Sequence, residues 1–253
     1  MCLIGVSMKQ NKDFPFILAA NRDEFYDRPT AALHKWESAG SIYAGKDLEK
    51  GGTWMGISKK GYIGALTNVR EKPLRFEARS RGELVVNFLK DEEKDPEGYI
   101  ERVVKNGDWY QGFNLLVGTP ETLWFGSNRK ERIQRLTNGV FGLSNASLDT
   151  NWPKVNAIKK ALHEISNESE KTVVVEHLLS ALNQTHPYPS KYLTDTGVGV
   201  EMERMLSPMF ITSQTYGTRC STIIAMDKNR LVTIMERSYE KGLITDKKVD
   251  VQR

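Results

Sequence analysis

Short apolar runs separated by polar turn clusters dominate the first half of the chain and predict β-strands. Cys2 to Met8 and Phe16 to Ala20 flank the polar cluster Gln10-Asn11-Lys12-Asp13, which predicts that the two runs form a hairpin. Further strand-like runs follow at Ser41 to Ala44, Thr53 to Ser58 and Tyr62 to Asn68.

Apolar residues recur at helical spacing in three places. Ser80 and Glu83 predict a capping box at the start of the first helix, whose apolar stripe runs from Leu84 to Leu89. Pro153 suits the first turn of a second helix, and a third is predicted over about residues 172–183. The remaining strands are predicted at Phe113 to Gly118, Leu123 to Ser127, Arg132 to Leu136, Val140 to Ser144, Cys220 to Met226 and Leu231 to Arg237.

This order of elements indicates the fold class. Strands that arrive in hairpins, with helices grouped between them, favour antiparallel sheets covered by helices over a parallel doubly wound sheet. We therefore expect an α+β fold in which two mainly antiparallel sheets pack face to face and helices cover their outer sides. The sequence has no internal repeat and no linker, so residues 1–253 are expected to form a single domain.

Composition excludes several function classes. Charged residues make up 27% of the chain and the formal net charge is +4, with basic and acidic residues interleaved, so no nucleic-acid partner is expected. The locally basic stretch from Arg70 to Arg81 also contains Glu71 and Glu77, and we predict a solvated loop there. No apolar run approaches the roughly 20 residues that span a bilayer. The start lacks the features of a signal peptide, so a cytoplasmic location is expected.

No cofactor or metal is expected. The two cysteines, Cys2 and Cys220, form neither a disulfide framework nor a zinc set, and the four histidines lack metal-ligand spacing. Phosphate-binding and dinucleotide-binding loops are absent from the sequence.

Cys2 is the main candidate for chemistry. Removal of Met1 would leave Cys2 with a thiol and a free α-amine, whose solution pKa values are about 8.5 and about 8. This pairing supplies a nucleophile and its base on one residue. The alternative is a cysteine that packs as a small hydrophobe in a buried first strand.

Asn21-Arg22-Asp23-Glu24 directly follows the second predicted strand. If the first two strands pair antiparallel, Asp23 comes within reach of the Cys2 amine, which a carboxylate would hold in its charged form and orient. Arg22 would favour the Cys2 thiolate, because a nearby cation lowers the pKa of a cysteine. The alternative is a solvated turn.

Three further polar residues lie beside predicted strands. Asn68 and Asn145 end predicted strands, where an amide N–H can stabilise an oxyanion. Their alternative is an Asx-turn. Arg219 precedes the strand at Cys220, and its alternative is a surface ion pair.

The chain resembles the NRDE family, also called the transport and Golgi organisation protein 2 family, over almost its whole length. The motifs that carry the resemblance are Met1-Cys2, Ala19-Ala20-Asn21-Arg22-Asp23-Glu24, Gly51-Gly52-Thr53-Trp54, Leu66-Thr67-Asn68, Ser80-Arg81-Gly82-Glu83-Leu84, Gly112-Phe113-Asn114, Gly142-Leu143-Ser144-Asn145-Ala146, Tyr216-Gly217-Thr218-Arg219 and Glu236-Arg237-Ser238. That family in turn resembles the N-terminal nucleophile hydrolases, particularly the penicillin V acylase and bile-salt hydrolase branch.

The resemblance implies a four-layer αββα sandwich and cleavage of a non-peptide C–N amide bond. It implies that an N-terminal cysteine attacks, an aspartate contacts its amine, two asparagines serve the oxyanion and substrate, and a late arginine supports the site. By motif position these are Cys2, Asp23, Asn68, Asn145 and Arg219. The acylase pattern has arginine where this chain has Ala20. Arg22 is the candidate replacement, because residues two apart in an extended segment point to the same side.

The leading hypothesis is therefore an N-terminal cysteine hydrolase that acts on a small-molecule amide or acyl substrate through a thioester. The alternative is a non-catalytic carrier or chaperone for a hydrophobic ligand such as haem, a lipid or an acyl thioester, and a third hypothesis is an inactive relic of the fold. The loops expected to line the pocket are Phe25 to Trp36 and His186 to Pro208. The sequence leaves the oligomeric state open.

Overall fold

The computed structural model describes residues 2–37, 41–71, 78–91, 95–129, 132–240 and 242–253. In this part of the chain, two antiparallel sheets lie face to face and five α-helices accompany them. The expected αββα sandwich of two antiparallel sheets covered by helices is therefore confirmed. Lys72, Arg75 and Glu77 of the basic stretch lie outside the described residues.

The first sheet has six strands in the order β10-β1-β2-β11-β12-β13. Their bounds are β1 Cys2–Met8, β2 Phe16–Phe25, β10 Gly139–Leu143, β11 Tyr216–Met226, β12 Leu231–Glu240 and β13 Leu243–Gln252. The hairpin predicted from the start of the sequence is present, with Met8 opposite Phe16 and Cys2 opposite Arg22. The functional candidates of β1 and β2 therefore lie at the end of the sheet opposite the hairpin turn.

The second sheet has seven strands in the order β3-β4-β5-β6-β7-β8-β9. Their bounds are β3 Thr30–Trp36, β4 Ile42–Asp47, β5 Met55–Ser58, β6 Ile63–Asn68, β7 Phe113–Thr119, β8 Thr122–Ser127 and β9 Arg132–Leu136. Gly61, in the predicted turn between β5 and β6, has a φ of 75°, which glycine adopts without steric strain.

Helices cover the outer face of each sheet. Their bounds are α1 Gly82–Lys90, α2 Pro96–Lys105, α3 Pro153–Glu164, α4 Lys171–Leu182 and α5 Val200–Met205. The apolar faces of α3 and α4 pack on the first sheet, and those of α1 and α2 pack on the second. Among the described residues, no helix has the length and apolar character needed to cross a membrane.

Alternation along the strands divides the core into layers. Ile4, Val6 and Leu18 belong to the cluster between the two sheets. Leu3 and Ala19, on the opposite face of the same strands, pack beneath α3 and α4. A side chain on β1 or β2 therefore faces either the second sheet or the helices, according to its place in this alternation.

Several local predictions were wrong. The segment Asn21–Glu24 is not a solvated turn, because β2 continues to Phe25 and pairs with β1 and β11 on its two sides. The capping box is absent, since Arg81 occupies the N-cap of α1 and makes no side-chain capping bond. Part of the expected loop 25–36 is strand β3. Helix α2 and strand β13 were not predicted.

Candidate active site

The pairing of the strands places Cys2 next to polar side chains of β2. Cys2 lies opposite Arg22, and Arg22 lies opposite Cys220 on β11. Directly paired residues of an antiparallel sheet point to the same face. The Cys2 and Arg22 side chains therefore face the space between the two sheets, at its open end. Asp23, the next residue of β2, faces the side of the sheet that the helices cover.

A cavity of about 410 Å³ opens beside Cys2 and will be called the Cys2 cavity. Both sheets contribute to it, together with the loop before β5 and the start of α1. Its described lining comprises Cys2, Arg22, Asp23, Glu24, Arg28, Asp47, Lys50, Gly52, Thr53, Trp54, Leu66, Asn68, Ala78, Arg79, Ser80, Arg81, Gly82 and Gln111. Of the five predicted site residues other than Cys2, three thus line the same cavity as Cys2: Arg22, Asp23 and Asn68.

Cys2 is half-buried and is not in a disulfide. Burial of the group raises the pKa of Cys2 above its ordinary value, and the Asp23 carboxylate adds to this rise. The positive charge of Arg22 and the Asp23 backbone N–H act in the opposite direction. The thiol consequently holds its proton in the resting protein, and a nearby base is needed to remove it during attack.

Asp23 is buried, with 2% of its surface exposed. Its Oδ1 accepts a 2.7 Å hydrogen bond from Thr218 Oγ1, and the Tyr216 hydroxyl donates to its backbone carbonyl at 3.0 Å. Burial raises the pKa of Asp23, whereas the charges of Lys154 and Arg22 lower it. The β11 contacts fix the carboxylate next to the first strand.

Lys154 was missed by the sequence analysis, because a lysine in the first turn of a helix ordinarily reaches solvent. It is 3% exposed, and its Nζ donates to the Leu206 carbonyl at 2.9 Å. Burial lowers the pKa of Lys154 to about 8, while the negative charge of Asp23 opposes this shift. Lys154 and Asp23 are therefore both buried, and each influences the pKa of the other.

Arg22 is held firmly between the two sheets. Its guanidinium lies 4.2 Å from the centre of the Trp54 ring, and its Nη1 donates to Thr30 Oγ1 at 3.3 Å. Carboxylates of Glu24 and Asp47 lie 4.0 and 3.9 Å away. The sequence left open whether Arg22 could replace the arginine that is missing at Ala20, and the register puts Arg22 directly beside Cys2.

Asn68 and Asn145 meet at the strand ends next to Cys2. The Asn145 side-chain amide donates to the Asn68 carbonyl at 2.9 Å. Asn145 is buried and is not one of the residues that line the cavity. Ser144 Oγ lies 3.1 Å from the Cys2 carbonyl oxygen and 3.2 Å from Asn145 Oδ1. Asn145 thus joins the ends of β1, β6 and β10, while Asn68 lines the cavity itself.

Arg219 does not line the Cys2 cavity. It occupies a bulge of β11, and its Nη1 donates to the carbonyls of Phe25 and Arg28 at 2.8 and 3.1 Å. These bonds hold the turn after β2, which carries Arg28 into the cavity wall. Arg219 instead lines a second cavity of about 780 Å³ beside the β12–β13 hairpin, here called the hairpin cavity.

The basic stretch is only partly a solvated loop, so that prediction needs correction. Arg70 donates to Glu203 and lies 5.4 Å from the centre of the Trp152 ring, and it is buried between them. Arg81 is half-buried and donates to the Gly112 carbonyl at 3.0 Å. Glu203, Trp152 and Gly112 are distant in sequence, so the local charge pattern gave no sign of these partners.

Comparisons with known proteins agree with this architecture. Residues 1–241 match the protein family described as Transport and Golgi organisation 2. The chain is 38% identical over 241 residues to the Transport and Golgi organization protein 2 homolog of Homo sapiens, covering 89% of this chain and 87% of that protein. It is 27% identical over 260 residues to the Drosophila melanogaster protein of that name, covering 94% and 92%.

The fold is similar to that of the conjugated bile acid hydrolase from Clostridium perfringens. The crystal structure of its C2A mutant superposes with a TM-score of 0.52, covering 98% of this chain and 92% of that chain at 10% identity. Its R18L variant also gives a TM-score of 0.52, covering 100% and 97% at 9% identity. At these identities the likeness concerns the fold alone.

Proposed function

The chain belongs to the Transport and Golgi organisation 2 family, and from this membership and the geometry around Cys2 we propose that it is an N-terminal cysteine hydrolase cleaving a non-peptide C–N amide bond. One observation carries the proposal. Cys2 lines a cavity together with Arg22, Asp23 and Asn68, so a nucleophile and candidate supporting groups surround space for a small molecule.

Removal of Met1 supplies the base. The pKa of Cys2 is raised by burial, so the resting thiol is protonated and depends on a neighbouring proton acceptor. The α-amine of Cys2 takes the proton as the sulphur bonds to the amide carbonyl carbon. Asp23 orients this amine, and Lys154 maintains the charge of Asp23.

The tetrahedral intermediate carries a negative oxygen, to which the Asn68 amide donates. Asn145 holds the end of β6 in place through its bond to the Asn68 carbonyl, and its second N–H is the other candidate donor. The amine returns its proton to the departing nitrogen, and the C–N bond breaks to leave a thioester on Cys2. Water then adds with loss of a proton to the amine, and the C–S bond breaks to release the acid and the thiol.

The requirement for a free amine gives a direct test. We would express the protein with a removable segment before Cys2 and assay it on a panel of acyl amides before and after cleavage of that segment. Hydrolysis is expected only after cleavage, together with an acyl adduct on the Cys2 peptide by mass spectrometry. Full turnover by protein whose intact mass still includes the preceding residue would contradict the mechanism.

The hairpin cavity favours one second candidate, a carrier for a hydrophobic ligand such as haem or an acyl thioester. Its apolar lining includes Leu179, Phe210, Leu243 and Ile244, and the last two are strongly exposed. Stoichiometric haem binding that survives Cys2→Ala and is lost in Leu243→Ser would support this function. Absence of binding by the wild-type protein would exclude it for haem.

A further inference from the structure

The charges around the Cys2 cavity are unequal. Among the described lining residues, the cations are Arg22, Arg28, Lys50, Arg79 and Arg81, and the carboxylates are Asp23, Glu24 and Asp47. Three of the cations already have carboxylate neighbours. Arg28 lies 2.7 Å from Asp47, Arg22 lies 3.9 Å from the same residue, and Lys50 lies 4.0 Å from Glu49.

Arg79 and Arg81 differ from these three. Neither takes part in an ion pair with another described residue, although each is fixed by contacts with uncharged groups. The Arg81 guanidinium donates to the Gly112 carbonyl at 3.0 Å. The Arg79 guanidinium lies 4.5 Å from the centre of the Trp109 ring, and its backbone N–H donates to the Trp109 carbonyl at 2.9 Å.

A close backbone approach brings Arg81 to the cavity. A Cβ on Gly52 would lie 2.6 Å from the carbonyl carbon of Gly82, so only glycine fits at position 52 without a shift. This contact seats the start of α1 against the loop before β5, and both segments line the cavity. Two motifs that the mechanism leaves without a role, Gly51-Gly52-Thr53-Trp54 and Ser80-Arg81-Gly82, thereby act together.

We infer that Arg81, supported by Arg79, binds an anionic group of the substrate, a carboxylate or a phosphate, while the scissile amide lies at Cys2. The inference rests on the proposed function and specifies its substrate class. A guanidinium presents its N–H donors in a planar fork that matches carboxylate and phosphate oxygens. Arg81 and Cys2 line the same cavity, so one small molecule can contact both.

The electrostatics agree with this placement. Burial lowers the pKa of Arg81, and the negative charges that Cys2, Glu71 and Glu24 can carry act against this shift. A half-buried guanidinium that forms no ion pair with a described residue gains most from a bound anion, because the charge is already partly removed from water. Arg79 is more exposed, so its contribution to binding is expected to be smaller.

Matched amides test the inference. N-octanoylglycine would be compared with its neutral glycinamide, and N-octanoylphosphoethanolamine with N-octanoylethanolamine. We expect kcat/KM at least about 10-fold higher for the anionic member of at least one pair. Arg81→Gln should lower the anionic value by about 10-fold or more and leave the neutral value within about 3-fold. Arg79→Gln should produce a smaller loss, of about 3-fold.

Two variants serve as comparisons. Arg102→Gln removes the same charge from an exposed position on α2 and should leave the anionic preference unchanged. Arg81→Lys retains a charge without the planar fork and should give an intermediate preference. Equal losses for anionic and neutral substrates in a folded Arg81→Gln protein would overturn the inference, because that pattern indicates a general structural role.

Binding to the Cys2→Ala protein separates this inference from the proposed hydrolysis. Calorimetry should give tighter binding of an anionic amide than of its neutral partner, with the difference lost in the Cys2→Ala, Arg81→Gln protein. That result without turnover by wild type would support the anion site and contradict the hydrolase proposal. The anion site would be overturned if hydrolysis depended on Cys2 but had the same kcat/KM for anionic and neutral substrates. It would also be overturned if no probe bound at millimolar concentration.

Discussion

The two cysteines occupy neighbouring positions on the same face of one sheet but lie in different surroundings. Each is paired with Arg22, Cys2 from β1 and Cys220 from β11. Cys2 is at the chain start and opens into the Cys2 cavity, whereas Cys220 is 3% exposed within the core between the sheets. Burial raises the pKa of Cys220 well above its ordinary value, and the Glu236 carboxylate adds to the rise.

The difference shows what position in the fold contributes to cysteine chemistry. Both thiols have a neighbouring arginine, and burial raises the pKa of both. A nearby cation is therefore insufficient to distinguish a reactive thiol here. Cys2 differs in its access to a cavity and, after loss of Met1, in the amine on its own backbone. Reactivity should follow these two features.

The largest expected difference between the two cysteines is in activity after replacement by alanine. Cys2→Ala should reduce amide hydrolysis by at least about 1,000-fold, because the group that forms the thioester is lost. Cys220→Ala should change kcat/KM by no more than about 3-fold. Both rates would be measured at pH 7.5 on folded protein, and comparable losses in the two variants would remove Cys2 from its proposed role.

The alkylation rates of the two thiols should differ by a smaller factor. We expect iodoacetamide to modify Cys2 in the native protein at least about 100-fold faster than Cys220, which is closed off in the core. Since burial raises the pKa of Cys2, its rate should still increase between pH 8 and 9.5. Peptide mapping by mass spectrometry measures both sites, and denaturant should abolish the difference. Equal native rates would contradict the burial argument.

The sequence predicted the β1–β2 hairpin well because its apolar alternation and polar turn are local. That hairpin alone put Arg22 and Asp23 beside Cys2. Strand β13 was missed because most of its residues are exposed and four of its ten residues are charged, so no apolar run marks it. Helix α2 had a recognisable signal in Asp95 followed by Pro96, the Asp95 side chain accepting from Gly98 N–H.

Contacts between distant segments limited the prediction of the site. Lys154 is buried because α3 packs on the first sheet and the Leu206 carbonyl accepts from its Nζ, a partner that no spacing near position 154 reveals. Arg81 was assigned to a solvated loop for the same reason. Arg219 was placed with Cys2 by motif position, whereas its side chain holds the turn after β2. The catalytic roles, the single-domain organisation and the cytoplasmic location stay predictions.

Lys154, on the helix-covered side of the same sheet, should make the stability of the protein depend on pH. The pKa of Lys154 falls from 10.5 to about 8 on burial, so the unfolded chain binds more protons between these values. Stability of the wild type relative to Lys154→Met should therefore rise by about 2 kcal/mol from pH 8 to 10. Urea denaturation at both pH values measures the change. Lys160→Met, at an exposed position on the same helix, should show the same change of stability with pH as the wild type. If the stability of Lys154→Met also changed with pH as the wild type does, burial of the charge would be contradicted.

The smallest effect is on stability, where replacement of Cys220 should cost more than replacement of Cys2. Cys220→Ala should lower the free energy of unfolding by about 1 kcal/mol, because a buried sulphur is lost from the core between the sheets. Cys2→Ala should change it by less than about 0.5 kcal/mol, since its thiol already borders the open Cys2 cavity. Urea denaturation at pH 7 measures both values. A larger loss for Cys2→Ala would mean that Cys2 packs as a core residue, and the contrast between reactive and structural cysteine would then fail.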